Sequence, residues 1–169
     1  MGSRVTCLLV VVGVAVQGGT PLLTPEAVET AIKKRGAGPV IADLWRGDAA
    51  GARAFTAGVR DADPKWLRLA RIVRPATDAG ASSELDDALA AALPRAPYAV
   101  LPILREVWWQ GDDARICLFA EDSEVPDGIL TYMGRLEGAL LRPAPTGGAA
   151  LREACMAGLR RTRQHLLPQ

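Results

Sequence analysis

Residues 63–75 read DPKWLRLARIVRP, and this stretch sets the pattern for the whole chain. Asp63 can accept hydrogen bonds from the free N–H groups of a helix start, and Pro64 suits the first helical position. Apolar side chains then recur over about three turns, which predicts a helix with one broad buried face that ends at Pro75. The residues expected on that face are Trp66, Leu67, Ala70, Ile72 and Val73.

The same combination of cap, proline and apolar periodicity recurs along the chain. Thr24 followed by Pro25 predicts a helix that ends at Gly36. Pro102 lies a few residues into a segment that opens at Pro97, so that segment is expected to bend at Pro102 or to begin later. Other helix starts are expected at Pro39, Asp48, Ser82 or Ser83, and Pro126.

Two helices are expected at the C-terminal end, on either side of a loop rich in proline and glycine at residues 143–148. In the last helix, Leu151, Cys155 and Leu159 follow one another at spacings of four, which places Cys155 on the buried face. In the helix before the loop, the residues expected inside are Ile129, Leu130, Met133, Leu136, Leu140 and Leu141.

Composition favours an all-α domain. The chain has 169 residues, which is the size of one domain, and 49% of them are hydrophobic but only 5% are aromatic. Alanine and leucine favour closely packed helices over strands. Arg115–Ala120 is the best strand candidate, although extended coil gives the same pattern. We therefore predict about seven short helices packed in an irregular array.

One segment carries a resemblance to a known architecture. The run Pro97-Tyr98-Ala99-Val100-Leu101-Pro102-Ile103-Leu104 resembles a helix of HEAT-type repeats, and the similarity extends over residues 25–109. An irregular helical bundle gives the same pattern, because no fixed period recurs. The resemblance implies a scaffold or a binding surface, and it names no ligand or reaction.

The N-terminus predicts export. Arg4 precedes an apolar run, residues 5–15, that has the length of a signal-peptide core and is shorter than the roughly 20 residues of a membrane span. We interpret residues 1–18 as a signal peptide and residues 19–169 as a single helical domain without a stable membrane anchor. The alternative is the buried first strand of a cytosolic α/β protein, because a valine-rich run that ends at Gly18-Gly19 fits that as well.

Cysteine usage agrees with export. Removal of the leader, which contains Cys7, leaves Cys117 and Cys155, and an even count in an exported chain predicts one disulfide. Two buried free thiols are the alternative, since cysteine is a common small core residue. No metal site is expected, because His165 is the only histidine and no close cysteine pair exists.

No catalytic residues, cofactor or nucleic-acid partner are predicted. A catalytic serine or cysteine would need His165, the only histidine, as its base, and His165 lies close to the C-terminus. No glycine-rich phosphate-binding loop is complete. The net charge is +1, without the strong basic excess of nucleic-acid binders. Paired carboxylates could hydrolyse cell-wall glycans, which is the alternative function. The acidic candidates are Asp61 with Asp63, Glu84 with Asp86 and Asp87, and Glu121 with Asp122 and Glu124.

The most suggestive pair is Trp108-Trp109. Consecutive helical residues lie about 100° apart, so Trp108 is expected in the core beside Leu104 and Val107, and Trp109 is left partly exposed as an anchor for a partner. The alternative is that Trp109 packs under the loop that follows. Together with the predicted leader and disulfide, this pair indicates a periplasmic or secreted, non-catalytic helical module that binds an unknown periplasmic protein, with an inhibitor or immunity protein as a specific form.

Overall fold

The computed structural model describes residues 23–46, 49–108, 117 and 128–166. In these residues the chain forms eight α-helices and one short 3-10 helix, and it forms no strand, which confirms the all-α prediction. These residues give no support to the alternative of a cytosolic α/β protein. The elements are α1 (Pro25–Arg35), α2 (Ala37–Leu44), α3 (Ala50–Arg60), α4 (Pro64–Val73), the 3-10 helix Arg74–Ala76, α5 (Ala79–Ala92), α6 (Pro97–Trp108), α7 (Ile129–Leu140) and α8 (Ala149–Leu166).

Two helix starts lie where the sequence predicts them. The Thr24 hydroxyl accepts a hydrogen bond from the Ala27 N–H at 3.2 Å, and α1 begins at the following Pro25. The Asp63 carboxylate accepts the N–H groups of Lys65 and Trp66 at 2.8 and 3.3 Å at the start of α4. In both helices a side-chain cap and a proline satisfy the first turn locally, so the boundary is readable from sequence.

Other starts differ from the prediction. Helix α2 begins at Ala37, two residues before Pro39. The N-cap of α3 is Ala49, which has a φ of 53°, and the predicted cap Asp48 lies outside the described residues. Helix α5 begins earlier than Ser82, because Asp78 accepts the Ala81 N–H at 2.9 Å and caps the helix.

Two further predictions of helix starts concerned segments that contain proline. Helix α6 begins at Pro97 and continues through Pro102, so the later start that was one alternative for this segment is wrong, and the bend at Pro102 stays a prediction. Helix α7 begins at Ile129, after Gly128, which has a φ of 79°. The predicted start at Pro126 lies outside the described residues.

The core is built around α4, which packs on α1, α2, α3 and α6. Its Trp66 meets Phe55 of α3 edge to face, with ring centroids 5.1 Å apart. Phe55 also lies 6.2 Å from the Trp45 ring at the end of α2. One predicted core position of α4 is wrong: Ile72 is 46% exposed, and Leu69 is fully buried instead.

Alanine allows two helices of the core to approach closely. Helices α3 and α5 form the most extensive helix pair among the described elements. Ala52 of α3 is buried, as are Ala88 and Ala92 of α5. Because these side chains are small, the two helix axes can come close together. The alanine-rich composition is therefore a packing requirement of this part of the fold.

Ion pairs fix the outer face of α4 against its neighbours. Lys65, Arg68 and Arg71 follow one another at a spacing of three and bind carboxylates on α1 and α6. Hydrogen bonds from Arg68 and then Lys33 lower the pKa of Glu29 to about 2. The three partners are Glu26 for Lys65, Glu29 for Arg68 and Glu106 for Arg71.

Helices α7 and α8 form a hairpin that joins the other helices through tyrosine hydroxyls. Tyr132 of α7 is buried and donates to the Ala90 carbonyl at 3.0 Å, and its burial raises the pKa of its hydroxyl. Tyr98 of α6 donates to the Leu140 carbonyl at the end of α7 at 2.9 Å. These bonds fix the hairpin on the ends of α5 and α6.

The predicted signal peptide, residues 1–18, lies outside the described residues, so it stays a prediction. Among the helices that the structure describes, none combines the length and the apolar character needed to span a bilayer.

We predict that Gly58→Ala destabilises the domain. A Cβ at position 58 would overlap the Trp66 indole, a rigid ring held by Phe55, so the overpacking is expected to cost about 1–3 kcal/mol. Urea unfolding followed by tryptophan fluorescence measures this. The matched control is Gly134→Ala in α7, where an added Cβ meets no atom within 4 Å and helix propensity is expected to add about 0.5–1 kcal/mol. Equal urea midpoints for Gly58→Ala and the unsubstituted protein would contradict the packing.

Candidate interaction surface

A disulfide joins the two predicted cysteines. Cys117 and Cys155 are bonded, their Cα atoms are 5.2 Å apart, and both side chains are buried. Cys155 lies on the buried face of α8 beside Leu159, as the spacing of four predicted. Cys117 has 3-10 backbone geometry, whereas the rest of the strand candidate 115–120 lies outside the described residues.

The main polar feature of the interior is an ion pair that the sequence did not reveal. Arg74, directly after α4, donates from Nε and Nη2 to the two carboxylate oxygens of Asp86 at 2.7 and 2.5 Å, and both side chains are more than 90% buried. Arg74 Nη1 also donates to the hydroxyls of Thr77 and Ser82 at 3.1 and 3.2 Å. The available signal was the position of Asp86, directly after the buried Leu85 and three residues before Leu89.

Three other carboxylates singled out from sequence have structural partners. Asp61 binds Arg95 at 2.9 Å, and Asp63 caps α4. Glu84 accepts the indole N–H of Trp45 at 3.1 Å. Among the residues that the structure describes, no three histidine, cysteine or acidic side chains are grouped to hold a metal ion. The predicted cluster at residues 121–124 lies outside that part of the chain.

The predicted tryptophan anchor falls largely outside the described residues. Trp108 is the last residue of α6, and its side chain and the whole of Trp109 lie outside the described residues. Its predicted role in binding stays a prediction. A neighbouring open groove of about 450 Å³ runs between α6 and α8, and Glu106 on its rim is already bound to Arg71. Its lining residues are Pro102, Arg105, Glu106 and Leu151.

The outer face of α7 carries an exposed apolar strip, hereafter the α7 strip, formed by Leu130, Gly134, Gly138 and Leu141. At 100° per residue these four positions fall within about 80° of one another. Leu130 is 46% exposed and Leu141 76% exposed, although both were predicted inside. A Cβ added at either glycine meets no atom within 4 Å, so the helix backbone is open to an approaching surface.

Buried residues explain why this strip faces outward. Tyr132, Met133, Leu136 and Leu140 occupy the opposite side of α7 and fill the contact with the rest of the domain. Helix α7 has more apolar residues than one buried face can hold, and Leu130 and the residue after the helix, Leu141, are those left outside.

Arginines border the α7 strip on both sides. Arg135 and Arg142 are exposed on the side away from α8. On the other side, Arg163 of α8 reaches over to Glu137 of α7, with a nitrogen-to-oxygen distance of 2.7 Å. The α7 strip therefore lies between the Glu137–Arg163 ion pair on one side and Arg135 and Arg142 on the other.

No protein-family model, curated protein or solved structure matches the chain. The likeness to HEAT-type arrays stays a resemblance in sequence.

We predict that breaking the buried ion pair costs far more than breaking an exposed one. Arg74→Met leaves the Asp86 carboxylate buried without its guanidinium, and a loss of about 3–5 kcal/mol of unfolding free energy is expected. Chemical denaturation measures it. The control is Asp61→Ala, which removes the exposed pair with Arg95 and is expected to cost about 0–1 kcal/mol.

The double variant Arg74→Met/Asp86→Leu separates pairing from burial. Because it removes both charges, its destabilisation is expected to be smaller than the sum of the losses for Arg74→Met and Asp86→Leu. If the losses of unfolding free energy of the two single variants add up to that of the double variant, the two side chains do not interact in solution.

Proposed function

We propose that this protein is a non-catalytic helical module that binds another protein through the α7 strip, and that it works in the periplasm or outside the cell. The observation that carries the proposal is the strip itself. Its two exposed leucines and two open glycines lie on one side of the helix over about three turns, and exposed apolar surface is typical of interaction sites.

The proposed compartment is supported by the cysteines. The Cys117–Cys155 bond is part of the buried interior, and structural disulfides persist in oxidising environments such as the periplasm. The apolar run at residues 5–15 has the length of a signal-peptide core. An inhibitor or immunity protein, which covers a target enzyme with a preformed surface, is a specific form of this proposal.

The alternative of a glycan hydrolase has less support in the described residues. That chemistry needs two carboxyl groups that converge on one bond. Asp61, Asp63, Glu84 and Asp86 instead bind an arginine, a helix start, an indole and a second arginine. No observation on these residues favours catalysis over binding.

Export predicts a specific mass for the protein recovered from its native cell. Loss of the first ~15–18 residues is expected from signal-peptide cleavage. Closure of the Cys117–Cys155 bond is expected to lower the mass by about 2 Da relative to the reduced chain, because two thiol hydrogens are lost. Intact-mass spectrometry before and after reduction checks both. A full-length chain with free thiols would overturn the proposed compartment.

Binding through the α7 strip predicts position-specific crosslinking. A photo-reactive amino acid at position 138, on the open face of α7, is expected to form one dominant adduct with a second protein in the native cell. The matched control is the same amino acid at position 57, an exposed site on α3. Adducts of equal yield from both positions, or none from position 138, would contradict a role for the strip.

A further inference from the structure

Helix α8 is tied to the domain by the disulfide in its second turn. Cys155 lies on the buried face of α8, and its partner Cys117 is a buried member of the hydrophobic core. The bond joins residues 38 apart in the chain, and the loop that it closes contains the whole of α7. Helix α8 is therefore held at two points, by the turn that follows α7 and by the bond.

The rest of α8 contributes little burial. The structure describes all 18 residues of this helix, and the buried ones are Cys155, Gly158 and Leu159. Leu159 is thus the one large side chain of α8 that is wholly removed from solvent, whereas Leu151 and Met156 are only partly buried. Because most of the stability of a helix in a protein comes from packing of its apolar face, a helix with so little buried surface opens easily.

The ion pair between α7 and α8 adds little to this attachment. Arg163 of α8 binds Glu137 of α7 with a nitrogen-to-oxygen distance of 2.7 Å, but 40% of the Arg163 side chain is exposed. Solvent screens such a pair, so its contribution to stability is small. The covalent bond is therefore a large part of what fixes α8.

Helix α7, in contrast, is attached by contacts that do not involve the cysteines. The Tyr132 hydroxyl donates to the Ala90 carbonyl of α5, and the Tyr98 hydroxyl of α6 donates to the Leu140 carbonyl. Met133 and Leu136 of α7 are fully buried as well. The core formed by α1–α7 can therefore assemble while both thiols are reduced.

We infer that α8 docks stably only after the Cys117–Cys155 bond has formed, so that oxidation is the last step in folding of the domain. In that step the two thiols lose two protons and two electrons, and a disulfide oxidant, such as a protein disulfide or oxidised glutathione, is reduced to two thiols. In an oxidising compartment the domain is complete. In a reducing compartment α8 is undocked, and Arg163 leaves Glu137 beside the α7 strip.

Hydrogen exchange followed by mass spectrometry tests the inference on the full chain. Peptides from α8 and from α5 are compared in the oxidised protein and in the protein kept reduced with a phosphine. The exchange rate of α8 relative to that of α5 is expected to rise at least about tenfold on reduction, because α8 then opens by itself whereas α5 opens only with the core.

Two cysteine variants separate the bond from the reductant. Cys117→Ser removes the bond and leaves the sequence of α8 intact, so without reductant it is expected to show the same rise in relative exchange of α8. The matched control is Cys7→Ser, which removes a thiol that the bond does not use and is expected to leave exchange unchanged. Circular dichroism and tryptophan fluorescence report whether the other helices remain folded in each variant.

Three results would overturn the inference. Unchanged exchange of α8 on reduction would show that the helix docks without the bond. An equal increase in α5 and α8 would show that the bond stabilises the whole domain as one unit. A Cys117→Ser variant that loses its helical structure altogether would show that α1–α7 do not fold before oxidation.

Discussion

The close approach of α3 and α4 is the constraint on which the rest of the fold depends. Gly58 leaves room for the Trp66 indole, and the indole in turn fixes the angle at which Phe55 packs. Because α4 also packs on α1, α2 and α6, a change in its position would be transmitted to most of the core. The absence of a side chain at Gly58 thus sets the distance between α3 and α4.

The buried ion pair completes the end of that central helix. Arg74 leaves α4 and pairs with Asp86 of α5, and the hydroxyls of Thr77 and Ser82 satisfy its remaining donors on that side. Apolar residues of the same volume could pack there at equal or lower free energy, so stability alone is a weak reason for the pair. A bidentate contact accepts only one register between the chain after α4 and helix α5. We therefore interpret the pair as a device that selects this arrangement over other packings of similar alanine-rich helices.

The sequence predicted the features that depend on residues close together in the chain. The starts of α1 and α4 depend on a side chain and a proline within one turn, and both were placed correctly. The start of α5 was not, because Asp78, Ser82 and Ser83 are all good caps and the local sequence does not distinguish among them. The disulfide was predicted because only two cysteines follow the predicted signal peptide.

Features that join distant parts of the chain were beyond the same reasoning. Periodicity identifies an apolar face but does not say which edge of it meets a neighbour, so Ile72 was placed inside and Leu69 was missed. The same limit applies to the candidate site. Leu130 and Leu141 share the helical pattern of the core residues, and only the packing of α7 on α6 and α8 shows that they face outward.

The way the hairpin is attached explains how such a face can persist. Exposed leucine forgoes roughly 1.5–3 kcal/mol of burial free energy per side chain, which an independent pair of helices could hardly give up. Here the disulfide closes a loop of 38 residues through α8, a constraint that the chain-entropy model places at roughly 4 kcal/mol. The buried hydroxyl of Tyr132 adds a contact with α5. Because these contacts fix its position from the inner side, α7 can keep its outer leucines exposed.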